Sequence, residues 1–479
     1  MNTKEGIVLA LILAVALTVR LYKIDRPLAD WHSWRQADTA AVARNFIKDG
    51  FNPFIPRYDD MSSQANGLDN PNRYRFVEFP LYNLLIAAVW KLTGIQTVSA
   101  RLTTVFITLV STVFLYLVVR HFSSTKTAAL ASFFFATLPY NVFYSSTILP
   151  APLMVTSLLA LYFFFTKWLD DSKKWFYLFL SIFFANIAIL TWPIAIFFLL
   201  PLLYLSFTKY KWSIFKKVSL WLFALFSFAP FMVWRIWMLN FPEGIPNWQF
   251  LINSGNIRFK GAFFRWLVAE RLGKLILTVT GFSLFILGFL SKFKEKEAIF
   301  YFSWLLSTVI YFTTFASGNV RHDYYQVPAV PILAIFMAHG TKLLFEFKSP
   351  NINRHIMLPV ALFLIFFMYA FGIYEIRGYY WINRPQIIEA GQAVDKLIPK
   401  DATVIAPYNG DAAFLYQTNR RGYPVVDRSL EDLVSLGTKY LVSVDISDQG
   451  IQKLTQNCNL LEKTNSFIIL ELSKDCLTK

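Results

Sequence analysis

The sequence predicts an α-helical polytopic membrane protein that ends in a small α/β domain. Three observations carry this. Of 479 residues, 56% are hydrophobic and 18% aromatic but only 16% charged, where a soluble globular chain has about 25% charged residues. Mean hydropathy is +0.44. Apolar runs long enough to cross a bilayer recur between residues 6 and 374, and the last hundred residues or so change character to short alternating segments with more charge. This composition excludes an ordinary cytosolic enzyme. It also excludes a disordered chain, which needs few aromatics and a high charge density.

Eleven runs are candidate spans: 6–22, 98–120, 127–144, 151–168, 175–191, 192–208, 218–239, 274–291, 298–316, 327–345 and 355–374. The first is followed by Arg20-Leu21-Tyr22-Lys23 and not by a small-residue cleavage site, so it reads as a retained span and not as a signal peptide. Residues 80–93 are apolar but short, and read as a helix at the membrane interface. If the N-terminus is cytoplasmic, the inner segments 1–5, 120–126, 167–174, 209–217, 292–297 and 342–354 hold sixteen Lys/Arg, Lys348 and Arg354 included, against six acids. The first outer loop, 23–78, holds eight of each sign. The net charge of +16 therefore follows the positive-inside rule, which argues against nucleic acid as a partner. The expected location is a prokaryotic plasma membrane, with the C-terminus extracytoplasmic.

Three extracytoplasmic regions are long: 23–97, about 240–273 and the tail. The spans carry few ionisable residues, and polar chemistry concentrates in these loops. That distribution suggests an enzyme working on something embedded in lipid at the outer surface. The tail reads as helix 386–397 ended by Pro399, strand 402–406, helices 410–416 and 430–436, strand 440–444, and a hairpin of 460–463 with 467–472. Cys458 and Cys476, the only cysteines, flank that hairpin. Outside the cytoplasm they can pair as a disulfide; otherwise they are two thiols. No Cys/His spacing suits structural zinc.

The first outer loop is the most informative region. It reads LADWHSWRQADTAAVARNFIKDGFNPFIPRYDD from Leu28 to Asp60, with a helix pattern from Gln36 to Phe46. Asp30, His32, Arg35 and Asp38 thus lie close to the membrane surface. A carboxylate there can act as general base on a hydroxyl, and an arginine can hold a phosphate bidentately. The plain alternative is an amphipathic interfacial helix with snorkelling Arg and surface Asp. Glu78, just before Pro80, is a second acid or cation ligand, or a helix-start carboxylate favoured by the dipole. Tyr144–Val155 (YSSTILPAPLMV) has prolines at a helix start and no charge. Between Asn240 and Lys274, Arg258, Lys260, Arg265, Arg271 and Lys274 face only Glu243 and Glu270; they bind a lipid phosphate or anchor to anionic headgroups. In GNVRHDYYQVPAVP, Gly318–Pro331, Arg321 and His322 can neutralise a phosphate or hold a metal, while tyrosine there is ordinary interface material.

With these segments in order, the chain resembles the C-type (GT-C) glycosyltransferases, nearest the branch with the protein O-mannosyltransferases and the lipid A aminoarabinose transferase. The segments are Ala41–Gly50, Glu78–Tyr82 (EFPLY), Ala100–Leu102, Leu149–Met154 and His322–Pro331. The likeness covers the layout of residues 1–380, taken as the catalytic membrane domain, with 381–479 as an extracytoplasmic α/β domain. It implies an inverting transferase that moves a sugar from a polyprenyl phosphate (undecaprenyl or dolichyl type) to an acceptor hydroxyl on protein, lipid or glycan. It implies Asp38 as general base, with Asp30 and Glu78 beside it. Arg35, Arg258, Lys260, Arg321 and His322 are the implied donor-phosphate ligands. His32, Tyr82, Asp323 and Tyr325 are further candidates. Two departures stand out. Relatives carry an Asp-Glu pair where this chain has Arg35 and Gln36, and an acid where it has Ala151. No cofactor is certain, and a divalent cation (Mg, Mn or Zn) stays open. The other readings are a carrier or flippase for a lipid-linked sugar, which needs polar groups lining a path through the bilayer, and an inactive assembly partner.

Overall fold

The computed structural model describes residues 2–347 and 354–478, with the backbone alone for Arg354 and His355. Lys348 and the Arg354 side chain, both in the inner charge tally, lie outside the described residues. The chain forms two compact units. One comprises Met1–Ile24, Arg101–Trp234 and Trp248–Gly378; the other comprises Asp25–Ala100, Arg235–Asn247 and Tyr379–Lys479.

The first unit is helical. Among the described residues, six helices are long and apolar enough to cross a membrane: Thr97–Phe122, Ala151–Asp170, Pro193–Lys216, Val218–Met238, Asp323–Phe345 and Ile356–Tyr380. A seventh crossing results if Gly261–Ile276 and Thr278–Phe289, which meet at 106°, count as one broken span. Thr278 takes a left-handed backbone at this bend (φ 59°), a conformation rare for a β-branched residue. The other expected spans are helical too, with physical departures. Thr3–Arg20 carries Lys4, Glu5 and Arg20 at its ends, and Trp175–Thr191 is one residue short at 17. The run 127–144 splits at Pro139 into Thr125–Thr137 and Pro139–Tyr144, because proline lacks the N–H that would continue the ladder. Glu295–Thr314 opens with two glutamates.

Burial separates inner from outer helices. Ala151–Asp170 and Val330–Phe345 are buried on nearly every face. The Arg354–Ile376 helix exposes Leu358, Leu362, Phe363 and Phe366, a face suited to lipid. Thr278–Phe289 and Val330–Phe345 cross at Gly288 and Gly340, where a Cβ on either glycine would overlap a carbonyl oxygen of the other helix, Phe336 or Leu284. The buried Arg20 is absorbed by Ser145 Oγ (2.7 Å) and the carbonyls of Ala16 (2.8 Å) and Ala136 (2.6 Å).

The second unit joins the first long loop to the tail. The tail forms a five-stranded sheet: β1 (Thr403–Ile405), β2 (Arg421–Tyr423), β3 (Tyr440–Ser443), β4 (Asn459–Lys463) and β5 (Ile468–Glu471), in the order β2-β1-β3-β5-β4. β1 lies parallel to β2 and β3, and β5 antiparallel to β3 and β4. Ile405, Leu433, Leu441, Ile468 and Leu470 fill its core. Cys458 and Cys476 are joined by a disulfide at the core's edge, with Cα atoms 4.9 Å apart. β2 and the helix Gln449–Asn457, capped by Asp448, are elements the sequence reading did not anticipate.

The tail does not stand alone: Tyr379–Lys479 shares its unit with Asp25–Ala100 and Arg235–Asn247. The loop extends its sheet: Met61 N donates to Gly422 O (2.8 Å) and Gly422 N to Asp59 O (3.0 Å). The segment 235–247 braces the loop from another side. Phe76 N donates to Gly244 O (2.7 Å), Asn247 N to Ala65 O (2.9 Å) and Trp237 Nε1 to Phe54 O (2.8 Å).

Candidate functional site

In the second unit the site is built on the helix Ser33–Lys48. His32 precedes it in a left-handed conformation (φ 55°), which turns the chain sharply into the helix. Almost every side chain from Ser33 to Phe46 is buried, so this is no interfacial helix with one wet face. The charged groups along it are matched one by one. Asp30 accepts from Arg26 Nε (2.5 Å) and Gln36 Nε2 (2.8 Å). Arg35 donates to Glu78 Oε1 at 2.7 Å. Arg75 donates to Asp38 Oδ2 at 2.6 Å and lies over the Tyr58 ring. Arg44 pairs with Asp59.

Three features of this arrangement bear on the expected residues. Asp38 is 5% exposed, buried beside a guanidinium, and not a surface carboxylate. Arg35, expected on a phosphate, holds Glu78, expected as a second acid. Asp30 is 4% exposed and bound to Arg26, a residue the sequence reading passed over. Arg75 was also missed. No local pattern pairs it with Asp38, 37 residues away in the chain. Tyr82 is buried on the helix Leu81–Thr93.

Two further carboxylates belong to this region. Burial pushes Asp60 up to about 7, helped by the charge of Asp38 and opposed by Ser62 and Arg75. Burial likewise pushes Asp411 up to about 6; Ala413 N–H and the Ser33 hydroxyl bond to it and pull it down, and the Asp38 charge pushes it further up. Asp411 comes from the tail, more than 370 residues beyond Asp38 in the chain.

The first unit holds the remaining candidates. Asp323 is 1% exposed and accepts from the Tyr144 hydroxyl at 2.5 Å, with Arg271 Nη1 at 3.7 Å. It therefore anchors the segment that carries Arg321 and His322. His322 lies 5.6 Å from both Tyr324 and Tyr325, ring to ring, and Tyr325 meets Trp192 edge-on. Arg321 is exposed over the Phe250 ring, and Lys260 is exposed. Arg258 is turned to the carbonyl of Thr314 (2.9 Å). Ala151 is 1% exposed at the start of its helix.

A divalent cation fits these residues poorly. Among the described residues, no three His, Cys, Asp or Glu side chains converge as ligands. Asp30, Asp38, Asp59 and Glu78 each carry an arginine partner, and position 151 offers a methyl group. Cation and guanidinium compete for the same oxygens.

The architecture has known counterparts. The crystal structure of ArnT from Cupriavidus metallidurans bound to undecaprenyl phosphate is similar over 99% of this chain and 99% of its own, with TM-score 0.69 and 14% identity. The chain has the GT-C fold. The same GT-C architecture matches the oligosaccharyltransferase of Archaeoglobus fulgidus solved with Zn and sulfate (TM-score 0.61, 14% identity, 93% of this chain and 69% of that one). It also matches AglB from Archaeoglobus fulgidus in complex with an inhibitory peptide and a dolichol-phosphate (TM-score 0.56, 11% identity, 97% and 74%). A family model described as dolichyl-phosphate-mannose-protein mannosyltransferase matches residues 71–237. That stretch includes Glu78–Tyr82 and Leu149–Met154 but not the helix bearing Asp38. No curated protein matches the chain by sequence.

Proposed function

We propose that the protein is an inverting glycosyltransferase that moves a sugar from a polyprenyl-phosphate donor to an acceptor hydroxyl at the extracytoplasmic membrane face. The observation that carries the reading is Asp38. On a GT-C fold, a buried carboxylate in the first long loop is held through Oδ2 by Arg75, and no hydrogen bond to its Oδ1 occurs among the described residues. In the proposed reaction, Asp38 takes the proton of the acceptor hydroxyl as the hydroxyl oxygen attacks the anomeric carbon. The bond from that carbon to the phosphate oxygen breaks, and polyprenyl phosphate leaves with the electron pair. Arg321, Lys260 and His322 are the proposed partners of the developing phosphate charge. Arg35 and Arg258 are occupied by Glu78 and by Thr314 O, so their proposed part is to shape the loops that carry them. No step needs a metal.

Eleven crossings, a cytoplasmic N-terminus and an extracytoplasmic tail complete the proposal, supported by the charge balance of the loops. The likeness to a structure holding undecaprenyl phosphate supports the donor class. The scarcity of ionisable groups within the spans weighs against a carrier.

The test is transfer by the purified protein from undecaprenyl- and dolichyl-phosphate sugars to mixed protein, lipid and glycan acceptors. Asp38→Asn is expected to lower turnover by at least ~10²-fold with an unchanged melting curve, the usual scale for loss of a general base. Near-normal turnover in that variant would remove Asp38 from the chemistry. Restoring an acid with Ala151→Asp is expected to give no gain.

A further inference from the structure

A cavity of about 720 Å³ lies in the helical unit, where the ends of Thr97–Phe122, Ala151–Asp170 and Leu200–Tyr210 meet the start of Glu295–Thr314. None of its lining residues has a part in the proposed transfer. Arg321 and His322 precede the span Asp323–Phe345, whereas His339, in the second half of that span, lies 3.4 Å from the cavity residue Glu297. The cavity therefore sits toward the other end of the unit.

Its lining has two layers. Phe122, Leu169, Leu205 and Ile299 are apolar and buried or half-buried, and they form a wall. Asp170, Lys209, Lys294, Glu295 and Lys296 are exposed and mark the mouth. Glu297 is the buried charge, 6% exposed. One of its oxygens accepts from Ser123 Oγ and faces His339; the other accepts from Lys294 N at 3.2 Å. The Ser123 hydroxyl is itself 2.8 Å from that of Tyr301. Glu297 thereby fixes the turn that carries Lys294 and Lys296.

The charges at the mouth are less well matched. Lys209 is spent on the carbonyl of Leu169 and on Ser172 Oγ (2.8 Å), where it caps a helix end. His121 reaches Asp170 only at 3.6 Å. Lys294, Glu295 and Lys296 form no ion pair among the described residues. The surroundings mark a lipid boundary. Trp175 and Phe176 follow the end of Ala151–Asp170, Trp212 and Phe215 follow the end of Leu200–Tyr210, and all four are more than half exposed. Tryptophan collects where hydrocarbon meets water, so a ligand at this level is drawn from the membrane.

We propose that this cavity binds a membrane phospholipid with a zwitterionic ammonium–phosphate headgroup. The phosphate pairs with Lys294 and Lys296, the ammonium with Glu295 and Asp170, and an acyl chain lies along the apolar wall. The lining carries three lysines (Lys209, Lys294, Lys296) and three carboxylates (Asp170, Glu295, Glu297), so a headgroup bearing both charges matches it better than an anionic one. The bound lipid ties the helix ends together and stabilises the helical unit. This inference goes beyond the transfer reaction and is independent of it.

The full-length protein is purified in detergent, stripped of lipid and titrated with phosphatidylethanolamine, phosphatidylglycerol or inorganic phosphate. Native mass spectrometry counts the bound lipid, and the melting temperature is followed in parallel. The variants are Lys294→Gln/Lys296→Gln, Glu295→Gln and, as a charge control, Lys173→Gln/Lys216→Gln, which changes two exposed lysines outside the cavity. One phosphatidylethanolamine is expected to bind saturably ahead of the surrounding lipid and to raise the melting temperature. Lys294→Gln/Lys296→Gln is expected to weaken that binding by roughly 10- to 30-fold, the scale of two lysine contacts with a lipid headgroup. Glu295→Gln is expected to abolish the preference over phosphatidylglycerol, and the charge control to bind as the wild type does. Equal weakening in the control, binding of phosphatidylglycerol by the wild type as tight as that of phosphatidylethanolamine, or the same rise in melting temperature with inorganic phosphate alone would each overturn the inference. Should the Lys294→Gln/Lys296→Gln protein melt below the wild type before lipid is added, Glu295→Gln decides: an unchanged preference for phosphatidylethanolamine in it refutes the proposed headgroup contacts.

Discussion

Asp60 offers a quantitative test of how the loop is buried. It is 6% exposed, and burial holds its carboxyl near 7 instead of the ordinary 3.8. The folded protein therefore binds this proton more tightly than the unfolded chain. Stability contributed by the protonated group is present at low pH and is lost as pH rises from about 4 to about 7; above that the loss is complete. Between pH 5 and pH 8 the relevant interval is about two pH units, and at ~1.36 kcal/mol per unit this amounts to ~3 kcal/mol. Asp60→Asn removes the titration but keeps the oxygen that accepts from Ser62 N at 2.7 Å. The assay is thermal unfolding of wild type and Asp60→Asn in the same detergent at pH 5 and pH 8. The variant is expected to gain several times more over the wild type at pH 8 than at pH 5. Asp411 is present in both proteins, so its similar but smaller dependence cancels. An equal difference at the two pH values would refute the reasoning, because it would mean that Asp60 is hydrated or neutralised by a cation in the folded state.

Two other outcomes are expected. Gly340→Ala places a Cβ against the Leu284 carbonyl and 2.8 Å from Gly288 N, so it should destabilise the helical unit by at least ~1–3 kcal/mol, read as a lower melting temperature, whereas alanine at the open position Gly261 should be nearly silent. The disulfide closes a separation of 18 residues, so the double variant Cys458→Ser/Cys476→Ser should lose about 3 kcal/mol of tail stability, and dithiothreitol should lower the melting temperature of the wild type but not of the variant.

Local patterns in the sequence specify much of this molecule. Apolar runs mark the helices because a bilayer selects for length and apolarity, properties a linear window reads directly. The tail's strands and hairpin show as alternation, since a half-buried sheet repeats every second residue. Asp30, Arg35, Asp38 and Glu78 were visible as unusual charges near a predicted membrane surface. Their partners were not. Asp38 and Arg75 are 37 residues apart, Arg35 and Glu78 are 43, and no periodicity relates them. β2 was missed because three residues, one of them glycine, are too few to alternate. The split at Pro139 was legible in principle, but an unbroken apolar window concealed it.

The sequence by itself determined the class of protein, the positions of its helices and the loop that holds the candidate carboxylates, because each depends on residues close together in the chain. Only the tertiary structure decided that the first long loop and the C-terminal tail form one unit, that Asp30, Asp38, Asp59 and Glu78 are matched to arginines, and that the tail helix Ala412–Gln417 packs on the loop helix. Those outcomes depend on burial. A carboxylate's proton affinity and partner are set by whatever excludes water from it, and here that is a helix and a strand edge hundreds of residues away.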